Sequence, residues 1–267
     1  MPVQYPDRIV CLTEETTETL YLLGQEDRIV GISGFTVRPP RARKEKPKVS
    51  AFTSAKIDKI LALEPDLVLG FSDLQADIAA DLIRRGIAVH VFNQRSVNEI
   101  RTTIAVLGGM VGAHRQAAEL LAKLDRNIET ARAAAARLGR RPRVYFEEWD
   151  EPPISAIRWV SELLTIAGGD DCFPALAAKP LGKDRIIGDP QEIVRALPDI
   201  IIGSWCGKKF RPERVAARAG WEAVPAVANG DIFEIKSALI LQPGPAALSD
   251  GLAALSEIIT GWDRRQR

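Results

Sequence analysis

The chain has 267 residues, 46% of them hydrophobic and 27% charged, with a net charge of +1. That length holds two α/β lobes of ordinary size or one large domain, and its apolar content excludes general disorder. A near-neutral chain with no basic stripe excludes the nucleic-acid binders, and no apolar run approaches the ~20 residues of a membrane span.

Short β-type runs alternate with helical runs from the start, which predicts parallel sheets. Arg8–Leu12 reads as a first strand, with Cys11 as a small core residue. A helix follows over Glu15–Leu23, with acids at its N-terminal end and Gly24 as its cap. Arg28–Ser33 is a second strand, and Ile57–Leu63 is a helix that Pro65 ends. Leu67–Gly70 is an apolar strand, Ala76–Arg85 a helix ended by Gly86, and Val89–Phe92 the next strand. Ser96-Val-Asn-Glu99 has the form of a capping box and opens a helix to about Val111.

The pattern then changes. Residues 114–138 contain no Gly or Pro and predict one helix, about 37 Å long at 1.5 Å per residue. Alternation resumes with the strand Arg143–Phe146, the helix Arg158–Ala167 capped by Gly168-Gly169, the strands Asp199–Gly203 and Ile232–Ile235, and a last helix Ala246–Ile259. The expected fold is therefore α/β, with two Rossmann-like lobes of parallel sheet, 1–112 and 140–267, joined by a connecting helix over 113–139. The halves also resemble each other. Ile60–Gly70 aligns without gaps to Ile193–Gly203 at an offset of 133, and the acid pairs Glu14-Glu15 and Glu147-Glu148 repeat at the same offset.

Ligands of open parallel sheets sit outside the carboxyl ends of the strands. The residues expected there include Glu15, Phe35, Phe52, Phe71 and Phe92 in the first half, and Glu148, Trp149, Trp205 and Lys236 in the second. Aromatic rings in such loops make flat walls for a large, partly apolar ligand. Phe35, Phe52, Phe71, Trp149 and Trp205 are expected to line one cavity between the lobes, with open ring faces. Lys208, Lys209, Arg211 and Lys236 offer partners to anionic groups, and Glu147 and Glu148 to cationic ones. Glu14-Glu15 and Glu147-Glu148 are expected to repel one another across an empty site. Catalytic signatures are weak: two histidines, His90 in a strand and His114 at a helix start, and no G-x-S-x-G, H-E-x-x-H or P-loop. Three widely spaced cysteines, Cys11, Cys172 and Cys206, argue against both a disulfide framework and a zinc site.

Arg8–Glu18 with Leu22-Leu-Gly24, Arg28–Ile32, Arg38-Pro-Pro40, Lys46–Val49, Ile60–Gly70, Leu163–Gly169 and Ile193–Gly203 together resemble the class III substrate-binding proteins, the cobalamin and ferric-siderophore receptors of ABC importers. The likeness is closest to the cobalamin-binding members. It implies two lobes, a rigid connecting helix, a corrinoid or related metal chelate as small-molecule ligand, and no intrinsic cofactor. It places ligand-lining aromatics at Phe35, Phe52 and Phe71, with Trp205 in the second half. It also places importer-docking acids at Asp58 and Gln191, where Asp keeps the charge on a shorter arm and Gln loses it.

The opening Met-Pro-Val-Gln-Tyr-Pro-Asp has no signal-peptide pattern, which predicts a cytoplasmic protein; loss of an export signal ahead of it would make the protein periplasmic. Three readings follow: an importer's substrate-binding protein, a cytosolic carrier or sensor using the same site without a transporter, and an enzyme such as a chelatase or hydrolase acting through Glu147, Glu148 or His90.

Overall fold

A computed structural model describes residues 4–267. The fold is α/β, and the chain divides into two compact units, each built on its own sheet. The first comprises residues up to Gln94 together with Asn98–Lys123, and the second comprises Arg95–Val97 with Leu124–Arg267. The long helix His114–Ala135 runs from one unit into the other, so the division falls inside it rather than at its ends. It ends three residues before the sequence limit of Leu138, in turns where Arg137 and Leu138 donate to Ala134 and Ala135.

The first sheet has strands β1 (Ile9–Cys11), β2 (Ile29–Ser33), β3 (Lys48–Ser50), β4 (Leu67–Phe71) and β5 (Val89–Phe92), in the order β3-β2-β1-β4-β5 and all parallel. Alternate residues serve opposite faces. Ile9, Cys11, Leu67 and Leu69 join Leu20 and Leu23 of the first helix in one cluster, and Val10, Leu12 and Val68 join Ile60 and Leu82 in another. Cys11 is a core residue as expected, and burial pushes its thiol up to about 12. β3 escapes the sequence reading because Pro47 and Lys48 hide a three-residue strand with one buried side chain. The chain turns from one side of β1 to the other between β2 and β4, so the ends of β1 and β4 flank the topological switch point.

The second sheet has β6 (Arg143–Asp150), β7 (Pro153–Ser155), β8 (Asp170–Asp171), β9 (Ile200–Gly203) and β10 (Ile232–Glu234), in the order β10-β9-β6-β7, with β8 also paired to β6. It is parallel except for β7, which folds back antiparallel on β6 and pairs Glu147 with Ser155 and Asp150 with Pro153. That partner carries β6 four residues beyond the expected Phe146. Glu147 and Glu148 therefore lie inside the strand, not after it.

The internal repeat is real and extends to the backbone. Glu64 and Leu197, 133 apart, both hold φ near +45°, a conformation that costs L-residues roughly 1 kcal/mol. Each precedes a Pro-Asp corner. Asp66 donates its N–H to the Arg8 carbonyl and accepts from the Arg8 N–H, both at 3.0 Å. Asp199 makes the same pair of bonds with Arg143, both at 2.8 Å. This register matches Arg8 to Arg143, an offset of 135, so Glu14-Glu15 correspond to Trp149-Asp150. The supposed repeat of paired acids is an accident of spacing.

Candidate functional site

At the carboxyl edge of the first sheet, Phe35 stands two residues beyond β2 and Phe52 two beyond β3, with 56% and 39% of their surface open. Their loops are tied to the sheet. The Gly34 N–H donates to the Ser50 carbonyl (2.7 Å) and the Phe35 N–H to the Ser33 hydroxyl (3.2 Å). Arg43 donates to the carbonyls of Gly34 and Thr36. The fully buried Gln75 holds the switch point together: it accepts from the Phe71 N–H (2.9 Å) and donates to the carbonyls of Phe52 (2.8 Å) and Leu12 (3.4 Å). Three strand ends thus hang on one side chain. Just before it, Ser72 adopts φ 58° and ψ 177°, strained for a residue with a Cβ, and its hydroxyl accepts from the Leu74 N–H.

Acids gather beside these loops. Glu15 is buried and accepts from the Thr13 hydroxyl at 2.6 Å; burial pushes its carboxyl up to about 7, against the lowering pull of that bond. Glu14, half-buried at the start of the first helix, is pushed up to about 8 by burial and then by the charge of Glu15, while Arg43 opposes. Glu18 is ion-paired to Arg38 at 2.7 Å. Burial thus moves the Glu14 and Glu15 carboxyls toward their protonated forms near neutral pH, which weakens their mutual repulsion.

The carboxyl edge of the second sheet is a network of paired charges. Glu147 has no exposed surface and accepts four bonds: two from the Arg218 guanidinium (2.6 and 2.9 Å), one from the Tyr145 hydroxyl (2.9 Å) and one from Trp205 Nε1 (3.0 Å). Glu148 forms a bidentate pair with the buried Arg185 (2.7 and 3.0 Å), which also donates to the Ser155 carbonyl. Asp150 holds Lys208 at 2.6 Å. The Lys208 ammonium lies 5.3 Å from the Trp149 ring centre and 5.1 Å from that of Trp205. Asp150, Pro152, Gln191, Arg218 and Trp221 line a cavity of about 330 Å³.

Of the residues singled out in the sequence, Phe35 and Phe52 present open rings, Trp149 is half-buried with its Nε1 on the Glu151 carbonyl, and Lys236 is exposed in an ion pair with Glu234. The expectation of open faces fails for Phe71 and Trp205, and Phe92 is buried as well. β4 runs one residue further than predicted, Phe71 pairs with Phe92 across β4 and β5, and both rings stay in the core. Trp205 is 4% exposed, fixed by Glu147 and edge-on to Phe210 at 4.8 Å. The expected repulsion between the acid pairs is also corrected, because Glu147 and Glu148 are each neutralised by an arginine of their own unit. His90 is half-buried against Phe92, and burial lowers its pKa. Asp58 and Gln191 are exposed at the starts of the short helices Ile57–Leu61 and Gln191–Ala196. Gln75, Arg185 and Arg218 were missed; none stands in a motif, and each is recognisable only from its hydrogen bonds. Among the described residues no group of three or more His, Cys, Asp or Glu side chains could hold a metal ion, and no helix is long and apolar enough to cross a membrane.

A substrate-binding lipoprotein of an ABC transporter in Bacillus subtilis, itself uncharacterized, is 26% identical over 263 residues, covering 95% of this chain and 80% of that protein. A vitamin B12-binding protein of Vibrio campbellii is 26% identical over 253 residues, covering 91% and 86%. The structure of a periplasmic heme-binding protein from Roseiflexus shares the fold, with a TM-score of 0.79 at 22% identity over 95% of this chain and 99% of that one. The family model for periplasmic binding proteins matches residues 9–239, and the chain belongs to that family.

Proposed function

We propose that the chain is the substrate-binding component of an ABC-type importer and takes a corrinoid or a related flat metal chelate against the carboxyl edge of its first sheet. The observation that carries this reading is the pair of open phenylalanine faces, Phe35 and Phe52, in the loops that follow neighbouring strands, the first tied to Ser33 and the second to Gln75. Apolar rings fixed in this way stack on a macrocycle at little entropic cost. Glu14 and Glu15, shifted by burial toward their protonated forms, supply donors to its polar rim. The relatives named for vitamin B12 and heme support a tetrapyrrole-like ligand. The reading is one of binding and release without turnover. It puts the mature protein outside the cytoplasmic membrane, as the lipoprotein and periplasmic relatives are, in place of the cytoplasmic location expected from the N-terminal residues. Asp58 and Gln191 would face the importer, and the neutral Gln191 favours one second reading, a carrier that has lost its membrane partner.

Equilibrium dialysis against cyanocobalamin, hemin and a ferric siderophore tests the proposal. The wild type should bind one of them with micromolar affinity or better, and Phe35→Ala and Phe52→Ala should each weaken binding about tenfold, roughly 1.4 kcal/mol. A wild type that binds none of the three refutes it.

A further inference from the structure

The second unit holds a cation in an aromatic setting, and the cation is its own. Lys208 lies close to two indoles, 5.3 Å from the Trp149 centroid and 5.1 Å from that of Trp205, with Asp150 on its ammonium at 2.6 and 2.8 Å. A lysine is attracted to an aromatic face by the ring quadrupole, and most strongly to indole. The two rings differ in what else they touch. Trp149 is half-buried, whereas Trp205 is 4% exposed with its Nε1 committed to Glu147. The lysine itself is only partly covered, with 33% of its side chain open to water, and the adjoining Cys206 and Gly207 are exposed. Gly207 takes φ +72° with free space around its α-carbon, so the loop turns sharply without packing against anything there. Lys208 thus lies over the Trp205 ring, held there by its ion pair with Asp150.

We propose that Lys208 is a displaceable latch on this indole wall, released by a ligand that carries free carboxylates on its periphery. A ligand carboxylate competes with Asp150 for the ammonium. As the ammonium moves to the ligand it leaves the indoles, and the same movement uncovers an aromatic face for the ligand's flat ring. One exchange therefore supplies both a charge pair and a stacking surface. Asp150 keeps the field of Arg218, which lines the same 330 Å³ cavity while bound to Glu147. An amidated ligand has no anion to offer and leaves the latch closed. This narrows the corrinoid-type ligand of the proposed function to its acidic forms and rests on that reading for the identity of the ring.

Two measurements test it. The first needs no ligand. In a Trp149→Phe background, Lys208→Met keeps the aliphatic stem but removes the charge, and acrylamide quenching of tryptophan fluorescence should rise at least twofold as Trp205 is uncovered. Lys208→Arg should restore the wild-type value. Unchanged quenching in Lys208→Met overturns the latch, and an unaltered far-ultraviolet circular dichroism spectrum verifies that the variant is folded. The second compares cobyrinic acid, whose periphery carries carboxylates, with the amidated dicyanocobinamide by equilibrium dialysis. Lys208→Met should weaken cobyrinic acid about tenfold and change dicyanocobinamide less than twofold, with Lys208→Arg recovering most of the loss. Equal effects on both ligands overturn the carboxylate preference. If the wild type binds neither corrinoid, the corrinoid reading and the carboxylate preference fall together, while the quenching result still decides the latch.

Discussion

Replacing Glu147 should destabilise the second unit more than any other single change at its sheet edge. The carboxylate has no exposed surface and is the common acceptor for Arg218, Tyr145 and Trp205. In Glu147→Ala the Tyr145 hydroxyl and the Trp205 indole N–H lose that acceptor, at about 1–3 kcal/mol for each buried donor. Breaking a fully buried ion pair costs about 3–5 kcal/mol, but 23% of the Arg218 side chain is open, so water recovers part of that. The sum is about 4–9 kcal/mol, comparable to the whole stability of a marginal domain. Glu147→Gln keeps an acceptor for Trp205 and the shape of the side chain, and should cost about 2 kcal/mol. Urea unfolding followed by tryptophan fluorescence measures both. Four of the five tryptophans, Trp159, Trp205, Trp221 and Trp262, are buried in the second unit, so the signal reports mainly on it. Arg218→Met alone leaves the carboxylate without its counter-ion, so the double variant Glu147→Gln/Arg218→Met should be less destabilised than the two single changes added together, by at least about 1 kcal/mol. A Glu147→Ala variant that loses less than about 1 kcal/mol, or a double variant that is simply additive, would refute the idea that this carboxylate organises the edge.

The remaining expectations concern pH and backbone. Glu14 and Glu15 have folded-state values raised to about 8 and about 7 from an ordinary 4.5, so the native state binds protons that the unfolded chain has lost. The stability they contribute is complete below about pH 4.5 and is lost as pH rises through 7 to 8. Thermal melts should show Tm falling over that window, and Glu14→Gln should flatten the fall; a Tm independent of pH between 5 and 8 would contradict the burial of these groups. Leu197 is largely exposed and holds φ 45°, so Leu197→Gly should raise stability by up to about 1 kcal/mol in the same urea assay, and a loss would mean that its side chain has a packing role the exposed position hides.

Much of the framework is legible in the sequence because it follows period and punctuation. Apolar runs locate β1, β2, β4, β5 and β9, with Gly34, Gly70 and Gly203 closing the expected limits of three of them, and the uninterrupted Ala/Leu/Arg stretch locates the long helix. The repeat is visible through its Pro-Asp corners. The site is only half legible. Position after a strand correctly foretells the exposure of Phe35 and Phe52. The same argument fails for Phe71 and Trp205, because burial depends on where the strand actually stops and on which distant side chains arrive. Arg218 comes from 71 residues beyond Glu147 and Arg185 from 37 beyond Glu148, and a local pattern carries no record of such meetings. The acid pairs show the opposite failure, in which a regular spacing has no structural counterpart.

The Pro-Asp corners lie at the amino ends of β4 and β9, the far end of each sheet from the loops that carry Phe35, Phe52 and Lys208. What fixes each unit's frame and what carries the proposed ligand contacts are therefore separate stretches of chain. Substitutions in 34–36, 51–54 and 204–209 leave the bonds that start each sheet in place, so two like frames carry unlike edges, open phenylalanines in one half and indoles beside Lys208 in the other. The same separation makes those three loops the segments to randomise when redesigning either edge in the laboratory.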